Sequence, residues 1–379
     1  MTINNEHKKL NVPNLRFKEF EGEWEKCILG DYGKVVTGNT PPTKDIENYE
    51  NGTYLWASPA DLSTIKLISE TKTKLSSKGF SKTRALPKGS VLVTCIGSTI
   101  GKTGMATKEM STNQQINSIV VNDNNDNEFV YYAIQSAFPR YLSSIAVQAV
   151  PIISKSAFEM LPNKRPCLQE QKKIGKFLSL LDERIATQNK IIDKLQSLIK
   201  GIRHDIFKDI QGKMLALSNI ADIYQPQTIS SSDLTTEGYW VYGANGVIGK
   251  YKEYNHETEQ ICITCRGNTC GTVNYTQPKV WITGNSMVIN TDKYQRQVNK
   301  RFLFHYLSSY NFKSIVSGSG QPQIVRTPLE KIKVVLPTIE KQVQIAHGID
   351  LILTKIETEC TVLGFLESQK QYLLRQMFI

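Results

Sequence analysis

The sequence predicts a mixed α+β protein in which two similar globular domains alternate with two long helices. Three observations carry this expectation. Pro166-Cys-Leu-Gln-Glu-Gln-Lys-Lys-Ile174 and Pro337-Thr-Ile-Glu-Lys-Gln-Val-Gln-Ile345 introduce two long apolar repeats. One constant offset, the one that carries Ile174 to Ile345, superimposes the repeats, and the segments before them share short motifs in the same order. Such internal repetition is a property of the whole architecture and governs how each part is read.

The first repeat places Ile174, Leu178, Leu181, Ile185, Ile192, Leu195, Ile199, Ile202 and Ile206 in alternating steps of four and three. The second places Ile345, Ile349, Ile352, Ile356, Leu363, Leu366, Leu373 and Met377 on the same seam, with Gln188 and Glu359 at matching polar breaks. Five heptads of this spacing predict coiled-coil helices over 168–210 and 339–379. Each follows a proline that suits a turn into a helix.

Residues 1–167 and 211–338 form the two mixed segments. Val91-Leu-Val-Thr-Cys-Ile-Gly97 resembles Ile261-Cys-Ile-Thr-Cys-Arg-Gly267, and each continues to a second glycine, Gly101 or Gly271. A β-branched run into a Gly-bounded turn reads as a strand entering a tight loop. Asn117–Val121 matches Asn285–Ile289 as another strand. Phe129–Ile134 matches Phe302–Leu307 as a short buried helix, and Ile153-Ser-Lys155 matches Ile324-Val-Arg326. The loops between these anchors have diverged, as two binding modules with different targets would show; drift would look similar.

The chain has 379 residues, 40% of them apolar, which fits two globular cores. No run is long enough to span a bilayer, and the polar start is not a secretory signal, so cytoplasmic residence is expected. Seven cysteines fit free thiols better than a disulfide framework. Cys262, Cys265 and Cys270 raise the question of zinc, but the first two lie in an apolar run that reads as a strand, and no metal is expected. The net charge is +11; residues 168–210 carry +3 and 339–379 carry −1, leaving +9 on the globular parts. A basic surface there fits a polyanionic partner, or ordinary solubility charge.

Gly97-Ser-Thr-Ile-Gly-Lys-Thr103 resembles a phosphate-binding loop but has three residues between its glycines where the cradle needs four. The duplicate has Thr272 in place of Lys102, so the glycines read as a shared structural turn. The five histidines stand beside no candidate nucleophile, and no Gly-rich cofactor loop followed by an acidic residue is present. Binding is expected rather than catalysis, with a nucleotide-binding enzyme as the disfavoured alternative.

The opening Asn11-Val-Pro-Asn-Leu-Arg-Phe-Lys-Glu-Phe20 with Trp24 and Leu29-Gly-Asp31 resembles the start of the DNA-specificity subunit of type I restriction–modification enzymes. Val36-Thr-Gly-Asn-Thr-Pro41, Tyr242-Gly-Ala-Asn-Gly246, Gly318-Ser-Gly-Gln-Pro322 and Leu168-Gln-Glu-Gln171 with Phe177-Leu-Ser-Leu-Leu-Asp182 extend the likeness over essentially the whole chain. Glu340-Lys-Gln342 departs from the family's Glu-Gln pair. The resemblance implies two pseudo-symmetric target-recognition domains joined by two long antiparallel coiled-coil helices acting as a spacer. Each domain would read one half of a split site in double-stranded DNA. Two methyltransferase subunits would dock on the chain and restriction/translocase subunits would join them. Catalysis and its cofactors would belong to those partners, so this chain is expected to hold no cofactor.

Base readout needs side chains with donor and acceptor groups on loops, with Lys or Arg nearby for phosphates. In the first domain these are Thr37, Asn39, Thr40 and Lys44, then Ser98 and Lys102, then Gln114 and Gln115. In the second they are Tyr242 and Asn245, Arg266 and Asn268, and Ser319 and Gln321. Lys155 and Arg326, at equivalent positions, are expected on phosphates. The bland reading of each is a solvated turn residue or an amide capping its own backbone. Apolar residues off the seam, Ile191, Leu198, Phe207, Leu351, Val362 and Leu374, are candidate docking surface for the methyltransferase subunits. Packing on the chain's own domains is the competing reading. A coiled-coil adaptor that binds only protein is the remaining alternative.

Overall fold

The structure, a computed structural model, describes residues 11–62, 66–144, 152–244, 246–318 and 320–379. Two compact units divide the chain: one runs through Gln188 and includes Val362–Ile379, the other is Asn189–Thr361.

In the first unit the elements are β1 (Glu25–Ile28), β2 (Gly33–Thr37), β3 (Tyr54–Ala57), β4 (Leu67–Ile68), β5 (Thr73–Leu75), α1 (Ser77–Ser81), β6 (Val91–Thr94), β7 (Thr103–Ala106), β8 (Ser111–Thr112), β9 (Ile116–Val121), α2 (Asn127–Ser144), α3 (Lys155–Glu159) and β10 (Pro162–Arg165). The long helix α4 (Leu168–Lys208) begins here. A five-stranded sheet has the order β2-β9-β6-β7-β4, beside a three-stranded sheet β5-β3-β8 and the pair β1-β10. Strand β6 is buried on both faces: Val91 and Val93 join Phe129 and Tyr132 of α2 in the larger core, while Leu92 joins Leu55, Leu86 and Met110 in the smaller one. Burial on both sides is why the strand reads as a continuous apolar run rather than an alternating one.

The second unit repeats this plan with β11 (Lys213–Ala216), β12 (Asp222–Tyr224), β13 (Tyr239–Gly243), β14 (Gly246–Tyr251), β15 (Ile261–Thr264), β16 (Val273–Tyr275), β17 (Trp281–Ile282), β18 (Ser286–Asn290), α5 (Lys300–Ser309), α6 (Arg326–Glu330), β19 (Lys333–Leu336) and α7 (Ile339–Met377). Its sheets are β12-β18-β15-β16, β14-β13-β17 and β11-β19. They match the first unit strand for strand except for β4, which has no counterpart among the described residues. Within β15, Ile261 and Ile263 face the main core and Cys262 faces the smaller cluster with Val280 and Ile282. Cys265 belongs to the main core, so the two cysteines serve opposite faces of the sheet. No group of three or more potential metal ligands occurs among the described residues.

Strand register corrects one expected match. Val91 lies opposite Ile119 and Ile261 opposite Ile289, so Ile289 corresponds to Ile119 rather than to Val121. The sequence match is out of step by an even number of positions. An even slip leaves the same alternation facing the core, so the motif looks right in the wrong register.

The seam residues are turned inward. Ile174, Leu178, Leu373 and Met377 enter the first unit's core, and Ile199 and Ile349 are buried in the second. Lys370 interrupts the second seam at the position matching Ile199 in the first. Its ammonium lies 2.7 Å from Asp182 of α4, which also accepts a hydrogen bond from the Tyr132 hydroxyl of α2. Lys66, largely buried, pairs with Glu128 at 2.7 Å and stands 3.8 Å from Asp182. Two cations and two carboxylates thus tie both long helices to the domain. Such a cluster holds only while every member is present, because a lone buried charge costs several kcal/mol.

The second unit uses a different set. Arg203 of α4 contacts His305 Nδ1 at 2.9 Å, and His305 Nε2 lies 2.8 Å from Asp350 of α7. Arginine has no acceptor, so Nδ1 accepts and Nε2 carries the proton. Arg301 donates to both oxygens of Asp350. Burial, and then the Arg203 charge, push the His305 imidazole down to about 4, although Asp350 pulls the other way.

Two docking expectations are corrected. Leu374 is only 4% exposed and packs in the first unit's core. Phe207 packs edge-on against Phe302 and Tyr306 of its own domain. Helices that clamp a globular domain bury a second face besides the seam, which a two-helix picture does not foresee. Ile191, Leu198 and Leu351 remain exposed, and Val362 is half-buried. Gln188, at the polar break, is buried, and Glu359 pairs with Lys355 one turn earlier.

Candidate nucleic-acid interface

The first unit brings two of its predicted loops into one place. After β2 the chain turns at Gly38, whose backbone lies so close to residues 112 and 113 that a Cβ would overlap the Asn113 carbonyl oxygen. Thr37 donates to the Asn117 side chain at 2.7 Å, and Thr40 donates to that of Gln114. Asn39 N–H donates to the Thr112 carbonyl, joining the loop to β8. The Asn39 side chain is spent locally: its Nδ2 donates to the Lys82 carbonyl and its Oδ1 accepts the Arg84 N–H. Gln115 is tied to Asn113 by two hydrogen bonds of 3.0 Å. Gln114 and Lys44 are exposed at this edge.

Ser98 and Lys102 lie, exposed, in the turn joining antiparallel β6 and β7. Gly97 and Gly101 have φ of +92° and +91°; Gly267 and Gly271 of the matching turn have +82° and +90°. In both turns the second glycine's N–H returns to the strand, to Thr94 or Thr264. A phosphate-binding loop opens a helix; this one closes a hairpin. The lysine is therefore a loop side chain on a shared turn.

In the second unit Tyr242 sits near the tip of the β13–β14 hairpin, half-buried; Asn245 falls outside the described residues, as does Ser319. Arg266, Asn268 and Gln321 are exposed. Arg266 and Arg326 come together on the wall of a cavity of about 370 Å³ with Tyr224, Gln225, Gln323 and Val325. Arg326 is paired with Glu330 one turn on, at 2.7 Å, and Lys155, at the same place in the first unit, lies 3.5 Å from Glu159. Both basic residues begin equivalent short helices, α6 and α3.

Sequence reasoning missed Tyr224, Gln225 and Gln323. The strand pairs place Tyr224 where the first unit has Val36, so Gln225 follows at the place of Thr37. Gln323 takes the place of Ile152 in an isolated bridge. Thr37 was itself a candidate, and carrying it across the repeat in the correct register would have found Gln225. For Tyr224 and Gln323 the available signal was a polar group replacing an apolar residue between the halves.

A family model described as "Type I restriction modification DNA specificity domain" matches twice, over residues 21–197 and 204–364. The chain belongs to this family. As a type I DNA-specificity subunit it carries two copies of the domain, one for each half of the duplication. It is 23% identical over 362 residues to the EcoprrI specificity subunit of Escherichia coli, covering 87% of each chain. It is 27% identical over 400 residues to the MjaVIII specificity subunit of Methanocaldococcus jannaschii, covering 90% of each. The S subunit of a type I restriction–modification system from M. genitalium has the same fold, with a TM-score of 0.66, 19% identity, and 97% and 99% of the two chains covered. No helix among the described residues is long and apolar enough to cross a membrane.

Proposed function

We propose that this specificity subunit reads a bipartite site in double-stranded DNA, one half-site per domain, and is itself non-catalytic. The observation that carries this reading is the duplicated specificity domain with diverged loops on a shared scaffold. A protein built from two like readers suits DNA read in two separated half-sites. In the first domain the reading edge comprises Thr37, Thr40, Lys44, Ser98, Lys102, Gln114 and Gln115, with Asn39 holding the loop in place. In the second it comprises Tyr242, Asn245, Arg266, Asn268, Ser319 and Gln321, with Lys155 and Arg326 serving phosphates in their respective domains.

Two methyltransferase subunits dock on the exposed helix faces at Ile191, Leu198 and Leu351, with Val362 at the margin, and restriction subunits join through them. The segments 1–167 and 211–338 serve as target-recognition domains and 168–210 and 339–379 as the spacer. Cytoplasmic residence follows from the DNA substrate. The test is to co-express the chain with its methyltransferase partner and map methylated adenines across the host genome. A single motif of two fixed parts separated by a constant gap is expected. Methylation without sequence preference would sink the reading.

A further inference from the structure

The two domains differ in chemistry at one equivalent backbone contact. In the first, Ile96 and Ile152 form an isolated antiparallel bridge, and the Ile153 N–H donates to the Cys95 carbonyl at 2.8 Å. In the second, Arg266 and Gln323 form the same bridge, and the Ile324 N–H donates to the Cys265 carbonyl at 3.0 Å. The framework is shared between the halves while the side chains change from two aliphatics to a guanidinium and an amide. Ile152 is 54% exposed, so the first domain's pair is not there to fill a core.

In the second domain this bridge borders the cavity of about 370 Å³. Arg266 is exposed and has no carboxylate or hydrogen-bond partner for its side chain among the described residues. The other cation on the wall, Arg326, lies 2.7 Å from Glu330 and, like Lys155 at the same place in the first domain, is assigned to a phosphate. Gln225 donates its amide to the Gly284 carbonyl, which fixes the side chain and leaves its oxygen unpartnered among the described residues. The wall thus offers one free guanidinium flanked by neutral donors and acceptors.

On the footing of the bipartite DNA reading, we propose that Arg266, supported by Gln323 and Gln225, reads a guanine in the second half-site. The guanidinium fork matches the O6 and N7 acceptors that guanine presents in the major groove. A phosphate cradle would gather free cations and would keep them in both domains, because phosphates do not vary between half-sites. The aliphatic pair at the same place in the first domain cannot hold a phosphate, whereas it suits an apolar contact such as a thymine methyl. The bridge is therefore a base-reading position whose content has been changed between the two modules.

The experiment uses the full chain co-expressed with its methyltransferase partner and a library of sites randomised in the second half-site. Methylation is read by sequencing for the natural chain, Arg266→Ala, Arg266→Gln and the double exchange R266I/Q323I. The natural complex is expected to demand guanine at one position of that half-site. Arg266→Ala should lose discrimination there by roughly 5- to 150-fold and keep every first-half preference. Arg266→Gln should move the preference toward adenine, since glutamine pairs with adenine N6 and N7. The double exchange should lose the guanine demand as Arg266→Ala does. Retained first-half specificity shows that each variant is folded and assembled. Uniform weakening with unchanged base preference and a salt slope lower by about 1 would make Arg266 a phosphate contact and overturn the inference. Unchanged preference with unchanged affinity would overturn it too. Absence of any second half-site in the natural complex would instead defeat the bipartite reading on which it stands.

Discussion

Gln171 and Gln342, equivalent positions in the duplication, make corresponding hydrogen bonds at the starts of the two long helices. Each is almost completely buried. The Gln171 oxygen accepts the Asp126 N–H, and its amide donates to the carbonyl of Pro166 and to Asn125. The Gln342 oxygen accepts the Asn299 N–H, and its amide donates to the carbonyls of Pro337 and Gln297. Each glutamine pins a helix start to the segment leading into α2 or α5. The neighbouring residues differ: Glu170 is buried and paired with Arg16 at 2.7 Å, whereas Lys341 is exposed. The departure from the family's Glu-Gln pair thus removes an ion pair in the second unit and leaves the glutamine's work intact.

Replacing Gln171 or Gln342 by Leu strands a buried N–H and a carbonyl, and should cost about 1–3 kcal/mol. Hydrogen exchange should show faster opening in the unit that holds the substituted residue. Equal loss of protection in both units would contradict this.

The paired turns predict a ranking. Gly97 and Gly101 share a left-handed φ, so alanine at either carries backbone strain of order 1 kcal/mol. At Gly101 the added Cβ would also meet the Phe138 ring at 2.5 Å, while at Gly97 the nearest atom is 3.8 Å away. Thermal melting should therefore place Gly101→Ala well below Gly97→Ala. The same order is expected for Gly271→Ala, which meets Phe312 at 2.9 Å, against Gly267→Ala, which meets nothing within 4 Å.

Acid should weaken the second unit through His305. Its imidazole is faced by Arg203, Asp350 and Arg301 and titrates at about 4 in the fold against 6.5 when free. Between these values the unfolded chain binds the extra proton, so stability is full above about pH 6.5 and falls as pH drops toward 4. A shift of this size corresponds to about 3 kcal/mol. His256, which burial also lowers to about 4, acts in the same direction. Urea denaturation at several pH values should give a shallower slope over this window for His305→Asn than for the natural chain; equal slopes would remove His305 from the account.

The ionic cluster in the first unit should behave as a coupled set. A double-mutant cycle on Asp182→Asn and Lys370→Gln is expected to give a coupling of about 0.5–3 kcal/mol, with the single Asp182 change the more damaging because it leaves Lys370 uncompensated and weakens the hold on Lys66. Additive effects would mean that solvent already screens the pair.

Salt dependence separates the proposed phosphate contacts from base readers. Lys155→Ala and Arg326→Ala should each weaken binding of the assembled complex to all sites alike and lower the slope of log K against log salt by about 0.9. A change confined to one base position would reassign the residue.

Much of the fold was legible because its signals are local and were written twice. The constant offset between the seams placed both helices, and the paired Val91 and Ile261 strands gave the hairpin that disposed of the phosphate-loop resemblance. What was not legible depends on tertiary packing. Phe207 and Leu374 look like free helix faces until the domain that covers them is in place. Asn39 looks like a base reader until Lys82 and Arg84, distant in the chain, claim both ends of its amide. Gln225 was missed because the even slip between Val121 and Ile119 hid its match to Thr37, and Gln323 because an isolated bridge is too short to show a period. Lys370 broke the seam in plain sight, but its partner Asp182 belongs to the other helix.

The cluster around Tyr132, Lys370 and Leu374 also has a temporal meaning. Ser136 donates to the Leu374 carbonyl across 238 residues of chain, and Trp24 stacks edge-on against Phe378. The first domain's core is therefore closed by residues made long after its strands have left the ribosome. Until they arrive, Phe129 and Trp24 lack a wall and the nascent chain presents an open apolar surface. The second domain, lying wholly between these segments, can finish first. A chain truncated shortly before residue 373 is therefore expected to keep every residue of the second unit while lacking the wall that closes the first core, which limited proteolysis would read as preferential cleavage within the first unit.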